Sequence, residues 1–332
     1  MRALRTWLKK HLLEFGVPIS QSYLGAAFQL GVSEMIASDL HDQLDEESIT
    51  AALLGSFVAS MPICASAYGT DISQHSSWVR YNKNKQDGAG ERDTGADFAL
   101  LIQKDSQTAY FSVFQAKKSG SLAGSMDLSH ISPKTPTRPA QSQFRRLHDY
   151  GISIQKKARG DHHDAPTLAN LHWVNYLVYG HGKFVCCPLT SLSDVDQKDR
   201  NREEVKTVQL YDLVSQPLIT RLVAAAEGSG DIDGWLKLET KKMREDVVEE
   251  ARQYFTVFEA SAAPWLNFEP TFTQDLEFFY PRGLRINRAA KAVETAQQQN
   301  RKSRRKAKSG KQGVDQNAFQ KTSNNPGASG KR

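Results

Sequence analysis

The sequence lacks the features that mark secreted, membrane or repeat proteins. Its three cysteines, Cys64, Cys186 and Cys187, have the spacing of neither a metal site nor a disulfide framework. No apolar run has the length that a bilayer requires, so we expect no membrane span. No internal repeat is present. These absences favour a cytoplasmic protein whose cysteines stay reduced in the core.

Acidic residues are scarce at the C-terminal end. From Arg282 onward, 14 Lys or Arg stand against only Glu294 and Asp315. Large apolar residues are also nearly absent there, so residues 286–332 are expected to be a disordered tail. A basic run of this kind either binds phosphates without sequence preference or keeps a protein soluble. We favour phosphate binding over the solubilising role, and we expect nucleic acid to be a partner.

The rest of the sequence divides by pattern. Residues 1–44 have helical periodicity, 45–195 alternate between helical and strand patterns, and 196–285 look helical again. A buried strand near residues 172–179 follows a helical segment, which indicates a parallel crossover. The predicted fold is therefore α/β, with a mixed central β-sheet flanked by helices and helical additions at both ends.

The most informative stretch runs from Glu91 to Lys118. Two apolar segments surround a polar turn near Asp105, which predicts a β-hairpin. Antiparallel pairing would bring Asp97, at the start of the first strand, close to Gln115 and Lys117 at the end of the second. Side-chain alternation places Gln115 and Lys117 on one face of the sheet.

These three residue types together suggest metal-assisted hydrolysis. Asp97 and the Gln115 side-chain oxygen are hard ligands suited to Mg²⁺, or Mn²⁺ in its place. Lys117 would orient or deprotonate an attacking water, or stabilise charge on a phosphate. The expected reaction is hydrolysis of a phosphodiester bond.

G-A-D-F at residues 95–98, followed by Q-A-K at 115–117, resembles the core of the PD-(D/E)xK nuclease superfamily, in the variant where Gln replaces the acid before the Lys. The resemblance covers roughly residues 46–180. It implies a restriction-endonuclease-like core, a divalent cation, and catalytic roles for Asp97, Gln115 and Lys117. It also implies a helix glutamate, for which Glu47 in E-E-S-I-T is the match. Similar bacterial families are linked to defence against phage.

Several alternatives stay open. Glu91 either adds a carboxylate to the metal site or only stabilises the turn. The substrate is expected to be DNA more than RNA, although an RNA-cleaving toxin would carry the same residues. A catalytically inactive subunit that binds or senses nucleic acid in a larger complex, or as a homo-oligomer, is the rival from another class. A second metal site at 161–164, D-H-H-D, is disfavoured because it lies in a polar loop.

Overall fold

All residues described by the computed structural model belong to the first of two units, residues 1–275. The second unit, Leu276–Arg332, falls outside the described residues, as do the predicted basic tail and the segment 161–164. The described residues are 2–39, 43–70, 76–79, 91–119, 124–128, 130–132, 140–159, 165–180, 182–201, 203 and 207–261.

The described residues form helices between residues 2 and 252. They are α1 (Arg2–Glu14), α2 (Tyr23–Ala37), α3 (Glu46–Tyr68), α4 (Glu91–Thr94), α5 (Gln143–Arg159), α6 (Ser193–Arg200), α7 (Leu218–Glu227) and α8 (Lys241–Arg252). Helices α2, α3 and α8 begin where a side chain accepts a hydrogen bond from a backbone N–H of the first turn; the capping residues are Ser22, Asp45 and Thr240.

The strands form one large sheet and two short ribbons. They are β1 (Ser76–Val79), β2 (Phe98–Gln103), β3 (Ala109–Lys118), β4 (Ser125–Asp127), β5 (Ile131–Ser132), β6 (Gln141–Ser142), β7 (Val174–Gly180), β8 (Lys183–Pro188), β9 (Thr207–Gln209), β10 (Gln216–Pro217), β11 (Leu236–Leu238) and β12 (Thr256–Ser261). Within the described residues, the large sheet has the order β1-β12-β2-β3-β7-β8-β10, and β11 also pairs with β3.

The sheet is mixed, as the sequence predicts. Strand β12 runs parallel to β2, and β3 runs parallel to β7 through the crossover that contains α5. The hairpin of β2 and β3 is antiparallel, with Phe98 opposite Phe114. The expected α/β architecture, a mixed sheet flanked by helices, is therefore confirmed.

Helices cover both faces of this sheet. Phe98 and Leu100 of β2 belong to one hydrophobic core together with α1, α2, α3 and α7. Ala99 and Leu101, which alternate with them, belong to a second core together with α5, α6 and α8. Because helices cover both faces of the sheet, every residue of β2 and most residues of β3 are buried.

The region after residue 195 is less purely helical than the sequence pattern predicts. Residues 236–258 have a helical pattern in the sequence, but in the structure they contain β11, then α8, then the first half of β12. Strand β12 lies between β1 and β2 in the large sheet, with Thr256 beside Phe98. The partners of β12 are about 160 residues away in β2 and about 180 residues away in β1, so no local pattern could have predicted its place.

Contrary to the expectation from the sequence, one segment of the described residues, helix α3, is long and apolar enough to cross a membrane by length and hydropathy alone. The core helix of a soluble protein passes the same test, and half of its most apolar window is buried inside the protein. Its Phe57 ring packs edge-on against Phe28 of α2 at 4.9 Å and against Phe258 of β12 at 5.9 Å. Apolar residues of α3 thus pack against α2 and against the sheet.

Candidate functional site

A tight turn sets the position of Asp97. Gly95, two residues earlier, has φ +70°, and a Cβ at this position would lie 2.8 Å from the carbonyl oxygen of Gln143. A glycine is therefore required where the chain passes close to the start of α5. The backbone N–H of Asp97 then donates to the carbonyl of Phe114 at 2.9 Å, which aligns the residue with the end of β3.

Asp97 and Gln115 are in direct contact, as the hairpin register predicts. The Asp97 Oδ2 atom accepts a hydrogen bond from Gln115 Nε2 at 2.7 Å and a second from the backbone N–H of Ala116 at 2.7 Å. Asp97 is half-buried, and the Gln115 side chain is only 3% exposed. The acid and the amide thus form one buried unit at the open end of the hairpin.

The orientation of the Gln115 amide is fixed by its donors. Its nitrogen donates to Asp97 Oδ2 and also, at 3.1 Å, to the carbonyl of Ala116. Both N–H bonds of the amide are therefore used. In the flipped orientation the amide oxygen, itself an acceptor, would lie against the Asp97 carboxylate and the Ala116 carbonyl. The carbonyl atom Oε1 points elsewhere, and it is buried without a hydrogen-bond partner among the described residues. An acceptor left in this state costs about 1–3 kcal/mol.

A second carboxylate reaches the same edge of β3. Strand β2 begins at Phe98, so the N–H groups of Ala116 and Lys118 extend beyond its ladder, and the latter donates to Glu46 Oε1 at 2.8 Å. Because the two N–H groups are two residues apart on one strand, they lie about 7 Å from each other. Asp97 and Glu46 therefore each accept a hydrogen bond from a backbone N–H group of β3 that has no partner in β2.

The charges of both acids also act on Tyr179. Its hydroxyl, which contacts Thr50 Oγ1 at 2.9 Å, is buried between α3 and the sheet. Burial is the main reason why the pKa of Tyr179 is well above its usual range, and the charges of Asp97 and Glu46 raise this pKa further. Both carboxylates are therefore within electrostatic reach of one hydroxyl.

The remaining predicted residues are placed unequally. Lys117 is half-buried and follows Gln115 on the face that β3 turns toward α5. Glu47 is exposed in the first turn of α3, and it is its neighbour Glu46 that contacts β3. The pair of adjacent glutamates predicts a carboxylate near the site, but the sequence does not determine which of the two turns toward the sheet. Glu91 begins α4, and its side chain lies outside the described residues.

Comparison with known proteins identifies no relative. No model of a protein family, no curated protein and no solved structure matches this chain. Among the described residues, no group of three or more His, Cys, Asp or Glu side chains could hold a metal ion. The site contains two carboxylates and an amide, so its chemistry has to be inferred from its geometry.

Proposed function

We propose that this chain is a metal-dependent nuclease with a restriction-endonuclease-like core, which hydrolyses phosphodiester bonds in DNA more readily than in RNA. Mg²⁺ or Mn²⁺ would be bound by Asp97 and Gln115, with Glu46 as a candidate for a further carboxylate near the same strand end, and Lys117 would act on the substrate. Glu47 and Glu91 stay candidates for additional carboxylates. A role in defence against phage is part of the same hypothesis.

The observation that supports this proposal most is the buried Oε1 of Gln115. It has no hydrogen-bond partner among the described residues, while both N–H bonds of the same amide are engaged. An oxygen that is held rigidly and lacks a donor is a good ligand for a hard cation. The adjacent Asp97 carboxylate supplies negative charge, so the donor set fits Mg²⁺ better than a softer metal.

Each residue of this chain has a distinct task in the proposed reaction. Asp97 and Gln115 hold one another in place, and Glu46 is fixed by the Lys118 N–H, so the oxygen ligands are preorganised. Lys117, on the same face as Gln115, would donate to a phosphate oxygen or orient the attacking water. The cation, when bound, would supply Lewis-acid stabilisation of the phosphodiester.

The local charge favours a phosphate-bearing substrate. Asp97 and Glu46 contribute two negative charges, and Lys117 and Lys118 contribute two positive charges that nearly cancel them. The affinity of an oxygen site for a divalent cation depends on its net negative charge. Without nucleic acid, we therefore expect the site to bind Mg²⁺ weakly; a nucleic-acid phosphate should strengthen this binding by adding negative charge.

The test is cleavage of labelled DNA and RNA substrates by the full chain with Mg²⁺ or Mn²⁺. Lys117→Met should reduce cleavage by at least about 100-fold, which is the typical contribution of a group that transfers a proton. Lys104→Met is the matched control, because Lys104 is also half-buried but lies at the other end of the hairpin. Its Nζ donates to the Ala226 carbonyl at 3.1 Å.

Two results would count against a nuclease. One is the absence of cleavage with either metal on every substrate; the other is an equal loss of activity in both lysine variants. Melting temperatures of all proteins separate a chemical effect from unfolding. If Lys117→Met lowered the melting temperature and the activity in parallel, Lys117 would be a structural residue.

A non-catalytic nucleic-acid-binding subunit is the second candidate function. The neutral Gln115 and the lack of a third ionisable ligand among the described residues favour it. Such a protein would bind DNA or RNA without metal-dependent cleavage. A binding assay run beside the cleavage panel distinguishes the two functions.

A further inference from the structure

Two more polar atoms near Gln115 are buried without hydrogen-bond partners among the described residues. They are the Tyr176 hydroxyl and the Gln143 Oε1 atom, on residues that are 0% and 6% exposed. Native proteins leave few buried polar atoms unsatisfied, and each one costs stability. Several such atoms in one corner of a fold indicate that something else binds them.

Both residues border the Asp97–Gln115 pair. Tyr176 is the register partner of Gln115 across the parallel β3–β7 pair, so the two side chains are neighbours on one face. Gln143 begins α5, and its Cγ would lie 3.2 Å from a Cβ at Gly95, two residues before Asp97. Three different elements thus each place a residue with an unsatisfied oxygen beside the open end of the hairpin.

The electrostatic surroundings of Tyr176 agree with this placement. Burial is the main cause of the raised pKa of its hydroxyl, which the Arg146 charge lowers and the charges of Asp199 and Asp97 raise further. The charges of the Asp97 carboxylate and of the buried Arg146 guanidinium therefore both reach this hydroxyl. The positive charge of Arg146 disfavours direct contact between a cation and this hydroxyl.

We propose that Tyr176 and Gln143 are positioning residues that accept hydrogen bonds from the water ligands of the cation bound by Asp97 and Gln115. This inference rests on the proposed function. Mg²⁺ keeps several of its waters in proteins, and those waters are donors that need acceptors. The Gln143 carbonyl and the Tyr176 hydroxyl oxygen can both accept, which fits a hydrated cation.

The decisive comparison is Tyr176→Phe against Tyr150→Phe. Each change removes one buried hydroxyl that has no partner among the described residues, so each should preserve or raise the melting temperature. Tyr150 packs on Tyr254 and Phe255, at ring distances of 5.8 and 5.4 Å, and Glu250 and Tyr254 are the groups that act on its pKa besides burial. Tyr150 thus serves as a control, because the Asp97 charge is not among the groups that act on its hydroxyl.

Mn²⁺ binding to the full-length proteins, measured by electron paramagnetic resonance with a phosphorothioate DNA oligonucleotide present, provides the readout. We expect Tyr176→Phe and Gln143→Leu to weaken Mn²⁺ binding at least fivefold, and Tyr150→Phe to leave it unchanged. Wild-type affinity in Tyr176→Phe would overturn the inference while leaving the proposed nuclease intact. If wild-type protein bound no Mn²⁺ and cleaved nothing, the proposed function and this inference would both fail.

Discussion

Replacing Gln115 with glutamate would change the centre of the candidate site by one functional group. The substitution exchanges an amide nitrogen that donates to Asp97 Oδ2 at 2.7 Å for a carboxylate oxygen. Two negative charges about 4 Å apart repel by about 4 kcal/mol at an effective dielectric constant of about 20. The two hydrogen bonds of the amide, each worth about 0.5–1.5 kcal/mol, are also lost.

Protonation sets an upper limit on the repulsion. Keeping a glutamic acid with an ordinary pKa of about 4.3 protonated at pH 7 costs about 3.7 kcal/mol. If the repulsion between the two carboxylates exceeded this cost, one acid of the pair would take up a proton instead. Together with the two lost hydrogen bonds, this repulsion should cost Gln115→Glu about 5–6 kcal/mol of unfolding free energy at pH 7. The pKa of the pair is raised in the folded state, so the deficit should shrink by about 1.4 kcal/mol per pH unit as the pH falls toward 4.3.

Urea denaturation at pH 5 and pH 7, with and without millimolar Mn²⁺, measures this effect as a difference from wild type. A bound cation would relieve the repulsion, so Mn²⁺ should restore most of the lost stability at pH 7. Gln115→Met is the control, because it removes the amide without adding charge and should respond to neither pH nor Mn²⁺. A glutamate variant as stable as wild type at pH 7, or one indifferent to Mn²⁺, would refute the proposed contact or the proposed cation site.

Three further results are expected. Gly16 and Gly95 have nearly equal positive φ angles, but only Gly95 faces a backbone atom within 4 Å, so Gly95→Ala should lower the unfolding free energy well beyond the about 1–2 kcal/mol expected for Gly16→Ala in urea titrations. Glu46→Ala should cost about 1 kcal/mol more than Glu47→Ala, measured in the same way, because the Lys118 N–H loses its acceptor. Burial raises the pKa values of the cysteines to about 11–12, so alkylation at pH 8 followed by mass spectrometry should find all three unmodified until the protein unfolds; they are Cys64, Cys186 and Cys187.

The hairpin and its open end follow from local sequence. The aromatic and β-branched residues of β3 and the polar turn before them are neighbours in sequence, and their alternation fixes which side chains share a face. For this reason the sequence predicts the contact between Asp97 and Gln115, and the parallel crossover to β7. The roles of Asp97, Gln115 and Lys117 in catalysis stay predictions.

The tertiary structure alone decides which other groups border the site. Glu46 and Glu47 differ by about 100° around the axis of α3, so only the docking of that helix determines which one contacts Lys118. In the sequence, nothing distinguishes Tyr176 and Gln143 from the other residues of their strand and helix. Their unsatisfied oxygens become visible only when distant elements pack around Gln115, because burial depends on contacts between residues far apart in the chain.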